Sequence, residues 1–147
     1  MIDKSKKYWH GDCVDDIDEY LKEYSEVAAI DVKPVFCHTC GSNDLNLRID
    51  YDEEVIQIIC PKCGYEKIIL DCEDAWEDAW EDATPRLIKC MECKGKDHNV
   101  KVGFVHRDNG SVKWVYIGSR CTNCGLLGSH LDWKVNYEPT DEMESNI

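Results

Sequence analysis

Apolar side chains recur at spacings of three and four residues near the start of the chain. These residues are Ile17, Tyr20, Leu21, Tyr24 and Val27. That spacing places them on one face of an α-helix, and acidic residues cover most of the remaining surface. Asp12 precedes the run, and a short side-chain acceptor there can accept a hydrogen bond from a free backbone N–H. The pattern predicts an amphipathic helix that is capped by Asp12 and docks on a sheet.

Further along the chain, two groups of short segments are predicted to form strands, and residues 45–51 alternate apolar and polar side chains as a half-buried strand does. The first group covers residues 45–51, 54–59 and 65–70, and the second covers 86–89, 99–106, 111–118 and 131–137. Asn109-Gly110 separates two segments of the second group. Both residues tolerate positive φ, which favours a hairpin turn. We therefore expect two small antiparallel sheets.

Residues 71–84 form a different kind of segment, in which Asp-Ala-Trp-Glu occurs twice in succession. Trp76 and Trp80 are four residues apart and so share one side of a helix. The segment predicts a short acidic helix that ends at Thr84-Pro85 and links the two groups of strands. Its tryptophans either fill the seam between the groups or belong to an exposed acidic and aromatic binding surface.

Eight of the ten cysteines occur in four CxxC pairs, which are Cys37/Cys40, Cys60/Cys63, Cys90/Cys93 and Cys121/Cys124. Two cysteines in one tight turn can direct both sulfurs at one ion, and Zn²⁺ takes four ligands in a tetrahedron. The 19 residues between the first and second pairs and the 27 between the third and fourth each suit a β-hairpin. The spacing predicts two structural zinc ions, each held by two successive pairs.

Three alternatives remain open at this level. The first and third pairs can share an ion, as they do in cross-braced RING domains. Four thiolates also bind iron, although closed tetrahedral zinc sites are the commoner use of this spacing. Ten cysteines can also form five disulfides, but a chain without a signal peptide is expected to stay in a reducing compartment.

The motifs Cys-His-Thr-Cys-Gly…Cys-Pro-Lys-Cys-Gly and Cys-Met-Glu-Cys…Cys-Thr-Asn-Cys-Gly resemble those of the zinc ribbon superfamily. Ribbons of this kind occur in transcription factors, RNA polymerase small subunits and rubredoxin-like proteins. The resemblance implies two tandem ribbons of four cysteines each, with the eight cysteines of the CxxC pairs as ligands. It indicates the metal and the fold class but leaves the function open.

We expect an α+β architecture in which an N-terminal amphipathic helix is followed by two ribbons that are joined by an acidic helical linker. The expected units are an acidic helix and lead-in (1–34), a first ribbon (35–70), a linker helix (71–85), a second ribbon (86–137) and a flexible acidic tail (138–147). We keep the names first ribbon and second ribbon for these two ranges.

The formal charge of −13 is unevenly distributed, because residues 71–85 carry seven acidic and no basic side chains. An acidic chain is disfavoured as a general nucleic-acid binder. The first hypothesis is therefore a protein-interaction module, such as an inhibitor, an immunity-type protein or an adaptor, that faces a basic protein surface. The candidate contact residues are Asp15, Asp16, Glu19, Glu23, Trp76 and Trp80.

The second hypothesis is nucleic-acid binding through the second ribbon, because residues 86–134 carry nine basic and four acidic side chains. The candidate phosphate contacts are Lys94, Lys96, Lys101, Arg107, Lys113 and Arg120. In the alternative interpretation, these cations only solvate the sheet or pair with acidic side chains of the protein itself.

The sequence contains no sign of catalysis. Four thiolates leave a zinc ion no open position, and no histidine has the His-x-Glu partner of the zinc deaminases. No phosphate-binding loop or dinucleotide motif is present. We therefore expect the chain not to be an enzyme. The apolar runs are too short to span a membrane, and a cytoplasmic location is expected.

Overall fold

The computed structural model describes residues 2–27, 29–82 and 85–147, without the side chains at 74, 78–80 and 82. The described residues form three helices and two antiparallel four-stranded sheets, so the fold is mixed α/β. The helices are α1 (Asp16–Ser25), α2 (Glu73–Asp82) and α3 (Asp141–Ser145). The strands are β1 (Asp31–Val35), β2 (Asn46–Asp50), β3 (Val55–Ile59), β4 (Glu66–Ile68), β5 (Arg86–Leu87), β6 (His98–His106), β7 (Val112–Cys121) and β8 (Leu127–Lys134). The predicted end of the linker helix at Thr84 lies outside the described residues.

The two sheets exchange strands. One sheet has the order β4-β3-β2-β5 and the other has the order β1-β6-β7-β8. Strand β5 leads into the second ribbon but pairs with β2 of the first, and β1 leads into the first ribbon but pairs with β6 of the second. The sequence left open whether the ribbons touch; in the structure, each completes the sheet of the other.

One apolar core lies between the sheets. It contains Leu47 and Ile58 from one sheet and Phe104 and Ile117 from the other, all fully or almost fully buried. Neither half has an apolar surface large enough for a core of its own, because small domains bury too little of their chain. Sharing one core removes that limitation.

The closing strand of the second ribbon begins earlier than its apolar pattern suggests. Strand β8 begins at Leu127, four residues before the predicted segment 131–137, and ends at Lys134. Residues 128–130 carry no alternation of apolar and polar side chains, but Gly128 and Ser129 pair with β7, and the register shifts between Ser129 and Leu131. Backbone hydrogen bonding extends a strand independently of its side chains.

Helix α1 begins at Asp16, later than a cap at Asp12 would place it. The Asp16 carboxylate instead accepts hydrogen bonds from the backbone N–H groups of Asp12 (2.7 Å) and Cys13 (3.3 Å). The predicted cap is therefore wrong in position: Asp15 occupies the N-cap without a side-chain cap hydrogen bond, and the Asp16 carboxylate binds amides of the turn before the helix. Within the predicted apolar face, Ile17 and Leu21 are fully buried, while Tyr24 is exposed.

The last ten residues, for which the sequence predicts a flexible tail, contain α3. Met143 of α3 is buried in the shared core, and Thr140 accepts a hydrogen bond from the Val112 N–H at 2.9 Å. The Asn146 side chain also donates to the carbonyl of Leu70 at 2.8 Å. Met143, the partly buried Ile147 and these hydrogen bonds attach an otherwise acidic segment to the sheet.

Candidate metal centres

The eight cysteines of the CxxC pairs form two tetrads. Their members are Cys37, Cys40, Cys60 and Cys63 in one, and Cys90, Cys93, Cys121 and Cys124 in the other. Within each tetrad all sulfur atoms lie within 4.8 Å of one another. The pairs therefore combine sequentially, which excludes the cross-braced alternative, and all ten cysteines are free thiols rather than disulfides.

The sulfur separations fit a tetrahedral ion. The Sγ atoms of Cys37 and Cys63 are 3.4 Å apart, and those of Cys40 and Cys60 are 3.6 Å apart. In the second tetrad the two corresponding distances are both 3.5 Å. Metal–sulfur bonds of about 2.3 Å at the tetrahedral angle place sulfurs about 3.8 Å apart. Each tetrad can thus hold one metal ion after a small expansion.

All four CxxC turns have the same backbone hydrogen bonds. The N–H four residues after the first cysteine donates to the carbonyl of that cysteine at 2.8–3.0 Å, as between Gly41 and Cys37. The N–H of the first cysteine donates to the carbonyl five residues on, as between Cys37 and Ser42 at 2.8 Å. This repeated turn aims both thiols of a pair at the same point.

The turn requires a left-handed residue directly after its second cysteine. Glycine occupies that position at Gly41, Gly64 and Gly125, with φ of 76°, 80° and 84°. In the third turn the position belongs to Lys94, which has φ of 65°. Gly95, the only glycine in that turn, is therefore not the left-handed residue. A lysine in this conformation carries a strain that glycine avoids.

Backbone amides lie close to the sulfurs of the first tetrad. Burial raises the pKa of the Cys37 thiol, but N–H donors of Cys40 and Thr39 outweigh this effect and lower the pKa to about 6. A donor at Tyr65 lowers the pKa of Cys63, yet the neighbouring thiols prevail and raise it to about 12. Adjacent thiols cannot all ionise without a compensating cation, so this crowding favours metal binding.

In the second tetrad, too, the pKa of one thiol is lowered and that of another is raised. A hydrogen bond with Asn123 and the N–H of Gly95 lower the pKa of the Cys93 thiol to about 6. Burial and the neighbouring thiols raise the pKa of Cys124 to about 12. One metal ion in each tetrad would stabilise all four thiolates at neutral pH.

A third group of potential ligands lies beside the second tetrad. His10 Nε2 is 2.9 Å from Glu92 Oε2, and both atoms lie within 4.8 Å of Cys124 Sγ. We interpret this group as a hydrogen bond that covers the tetrad, because Cys124 already belongs to a complete ligand set. No local sequence pattern indicates the group, since His10 lies far from Glu92 along the chain.

The candidate contact residues of α1 are only partly available to a partner. Asp15 is 92% exposed, although it lies 3.4 Å from Lys101 Nζ. Glu19 is exposed. Asp16 is buried, because its carboxylate binds backbone amides at the helix start.

The remaining candidates have different environments. Glu23 is exposed but bonded to Lys4 Nζ at 2.7 Å. Trp76 is half-buried and packs against the shared core, which favours a structural role for it. The side chain of Trp80 lies outside the described residues, so the proposed pairing of the two tryptophans stays a prediction.

Two of the basic residues of the second ribbon are used inside the fold. Lys101 is buried, and its ammonium lies 2.6 Å from the Asp18 carboxylate on α1. Arg107 donates to the carbonyl of Val112 at 2.6 Å and also to that of Val135. These contacts hold α1 and the strand ends on the sheet.

Arg120 has a similar internal role, because it donates to the carbonyl of Gly11 at 2.7 Å. The other three candidates, Lys94, Lys96 and Lys113, are exposed. Half of the basic set predicted to contact phosphates is thus already bound to the protein itself.

No protein-family model, curated protein or solved structure matches this chain. None of the helices in the described residues is long and apolar enough to cross a membrane. The two cysteine tetrads, which have zinc-ribbon-like motifs, suggest a structural metal-binding protein.

Proposed function

We propose that the chain is a non-enzymatic protein with two structural zinc ions and an acidic surface that binds a basic protein. Zinc is favoured over iron because closed tetrahedral sites of four thiolates, with no redox role in view, suit Zn²⁺ well. A non-enzymatic role is favoured because four protein ligands leave the ion no position for water or substrate.

The observation that carries the interaction role is an acidic groove of about 1090 Å³. Its lining includes Asp71 and Glu73 at the start of α2 and Asp141 and Glu142 of α3. Among the described residues that line it, none is basic. The linker and the tail, which the sequence identifies separately as acidic, thus contribute to a single surface.

Such a groove suits a basic partner because opposite charges accelerate association and select among partners. Tyr137 lines the groove and donates a hydrogen bond to Asp71 at 2.9 Å, which gives an aromatic ring beside the carboxylates. Tyrosine is enriched where protein surfaces make contact. An inhibitor, an immunity-type protein or an adaptor would each use a surface of this kind.

The nucleic-acid alternative keeps only Lys94, Lys96 and Lys113 as exposed candidates. A few phosphate contacts give weak binding at physiological salt, and the surrounding acidic charge opposes it further.

The test compares the groove with acidic residues elsewhere at equal net charge. We would titrate a neutral-flanked Lys/Arg-rich peptide and a short DNA duplex into the zinc-loaded protein at low and physiological salt. A Glu73→Lys/Asp141→Lys variant should bind the peptide about tenfold more weakly than an Asp52→Lys/Glu66→Lys control. Equal losses in both variants, or duplex binding that persists at physiological salt, would contradict the proposal.

The metal assignment has its own test. Elemental analysis of protein purified without added metal should find two zinc ions per chain and a colourless solution. A coloured protein with a thiolate-to-iron absorption band would establish iron instead.

A further inference from the structure

A small aromatic recess of about 250 Å³ opens beside α1 and shares no lining residue with the acidic groove. Tyr8 and Trp9 from the N-terminal segment line it together with Tyr20 and Tyr24 of α1. Glu23 provides a carboxylate at the same recess. Tyr8 and Tyr24 are 39% and 49% exposed, so the recess is open to solvent.

The rings form a connected set. The Trp9 and Tyr20 centroids are 6.1 Å apart with an edge-to-face angle of 85°. Tyr20 and Tyr24, one helical turn apart, stack at 6.0 Å. Tyr24 in turn contacts Tyr116 of β7 edge-on at 6.3 Å. These contacts fix Trp9, Tyr20 and Tyr24 against one another, so this part of the recess is formed before any ligand arrives.

Cations of the protein itself lie at this recess: Lys7 lines it, and Lys4 contacts two of its lining residues. The Lys4 ammonium lies 4.7 Å from the centroid of the Trp9 ring and 2.7 Å from Glu23 Oε1. The Lys7 ammonium likewise lies 5.4 Å from the centroid of Tyr8. An aromatic face and a carboxylate around one ammonium are the two elements with which proteins recognise alkylated ammonium groups.

We propose that this recess binds the ammonium group of a lysine side chain from a partner polypeptide, with a methylated lysine preferred, and that Lys4 is the internal group it displaces. Methylation keeps the positive charge but weakens hydration of the ammonium, so less water is lost when the group enters a box of aromatic rings. The site is separate from the acidic groove and does not depend on partner binding there.

Lys4 is suited to displacement. Its side chain is 45% exposed and that of Glu23 is 38% exposed, so water screens the ion pair. Lys4 also lies on an exposed segment held by the Asp3–His10 bridge. A ligand with the same charge and a larger apolar surface competes with such a contact at little expense in folding stability.

The experiment uses the zinc-loaded full chain and otherwise neutral peptides that differ only in a central trimethyllysine, lysine or norleucine. Binding is followed through the NMR signal of the Trp9 indole N–H. Trimethyllysine should bind most tightly, lysine more weakly, and uncharged norleucine at least tenfold more weakly than trimethyllysine. Equal affinity for norleucine and trimethyllysine would overturn the proposal.

Three variants test whether peptide binding depends on the recess itself or only on the net charge of the protein. Lys4→Met removes the competing ammonium and should tighten trimethyllysine binding about fivefold, while the matched control Lys6→Met should change it less than twofold. Glu23→Gln should weaken it. An affinity that is the same in Lys4→Met and Lys6→Met would show that Lys4 does not occupy the site.

Two further arms identify the source of the ligand. Free choline should bind at least tenfold more weakly than the peptide, because it makes none of the flanking contacts; equal affinity would overturn a polypeptide ligand. The Glu73→Lys/Asp141→Lys groove variant should keep its affinity for the trimethyllysine peptide. A loss in that variant would make the recess part of the groove and contradict the separate site.

Discussion

Leu45 and His98 bond to each other through their backbones in both directions, with an N···O distance of 2.8 Å each way. The two residues occupy equivalent positions, because each follows the first cysteine of its ribbon by eight residues. A pair of equivalent residues that exchange identical contacts is the mark of a two-fold axis. The two ribbons are thus related by an internal pseudo-two-fold that passes between Leu45 and His98.

The exchanged strands obey the same symmetry. Cys37 and Cys90 are 53 residues apart, and so are Lys33 and Arg86. In the structure Lys33 pairs with Val102, and Arg86 pairs with Ile49, which is the position 53 residues before Val102. The exchanged strands β1 and β5 therefore pair in the same register in both halves. The same arrangement would result if two strand-swapped subunits were joined into one chain.

The exchange predicts that the two metal sites are coupled. A Cys40→Ser/Cys63→Ser variant removes two ligands of the first tetrad and should also destabilise the second, because β5 needs β2 and β1 needs β6. Structural zinc contributes strongly to folding. We therefore expect the variant to lose the cooperative unfolding transition of the whole protein, rather than only the part that belongs to the first ribbon. Metal release to a chromophoric chelator, followed together with circular dichroism, measures this.

The control is a Cys13→Ser variant, which changes an exposed thiol outside both tetrads and should release both ions as the unaltered protein does. Two independent release phases in the unaltered protein, each with its own structural change, would contradict the coupling.

The sequence predicts the local parts of this fold better than their assembly. CxxC spacing identifies the ligands because two thiols in one turn are a local feature. Short apolar segments bounded by turn residues identify β2, β3, β6 and β7. Pairing of β1 with β6 is a long-range contact between segments of ordinary composition, so no local pattern signals it. The docking of the last ten residues was missed as well, since two apolar residues in an acidic segment, Met143 and Ile147, are too few to define a periodicity.

Replacement of the glycine that follows a CxxC pair should destabilise the protein to a different extent in different turns. A Cβ at Gly41 meets nothing within 4 Å, so Gly41→Ala should cost only the left-handed strain of about 1 kcal/mol. A Cβ at Gly125 would lie 2.7 Å from the carbonyl oxygen of Gly11, a backbone atom, so Gly125→Ala should cost distinctly more. Chemical denaturation of the two metal-loaded variants measures which one loses more unfolding free energy.

Lys94→Gly is the converse change, since it removes a strained residue. It should leave stability unchanged or raise it by up to about 1 kcal/mol, because relief of strain is offset by the greater freedom of glycine in the unfolded chain. A clear loss of stability would mean that the Lys94 side chain has a role that its exposure does not suggest.

Helix α1 approaches the sheet at Gly118. A Cβ there would lie 2.9 Å from Leu21 and 3.0 Å from Ile17, both fully buried. Gly118→Ala should therefore destabilise the protein by about 1–3 kcal/mol through overpacking. Gly128→Ala is the matched control on β8, because nothing lies within 4 Å of its Cβ. Equal unfolding free energies for the two variants would mean that α1 shifts freely.

Burial of Met143 should hold residues 138–147 against the sheet. Truncation of a buried methionine to alanine costs about 2–5 kcal/mol in a core, and the value here should lie at the low end because α3 can detach. Limited proteolysis should then cut Met143→Ala within residues 138–147, while Glu142→Ala, which alters an exposed neighbour, should resist. Cleavage at equal rates would contradict the docking of α3.

His130 should make the fold sensitive to acid. It lies next to Ser119, with Nε2 2.5 Å from Oγ, and burial lowers its pKa from 6.5 to about 4. As the pH falls below 6.5 the unfolded chain takes up a proton that the folded chain does not bind until about pH 4. The unfolded state therefore gains protons first, and stability that is fully present above pH 6.5 declines between pH 6.5 and 4.

A shift of this size corresponds to about 3 kcal/mol. Acid also protonates the thiolates and releases metal, so the informative quantity is the difference in unfolding free energy between the unaltered protein and His130→Gln. Metal release affects both proteins, whereas only the unaltered one carries the titrating imidazole. That difference should change by about 3 kcal/mol between pH 7 and 4; a constant difference would mean that His130 is hydrated in solution and titrates normally.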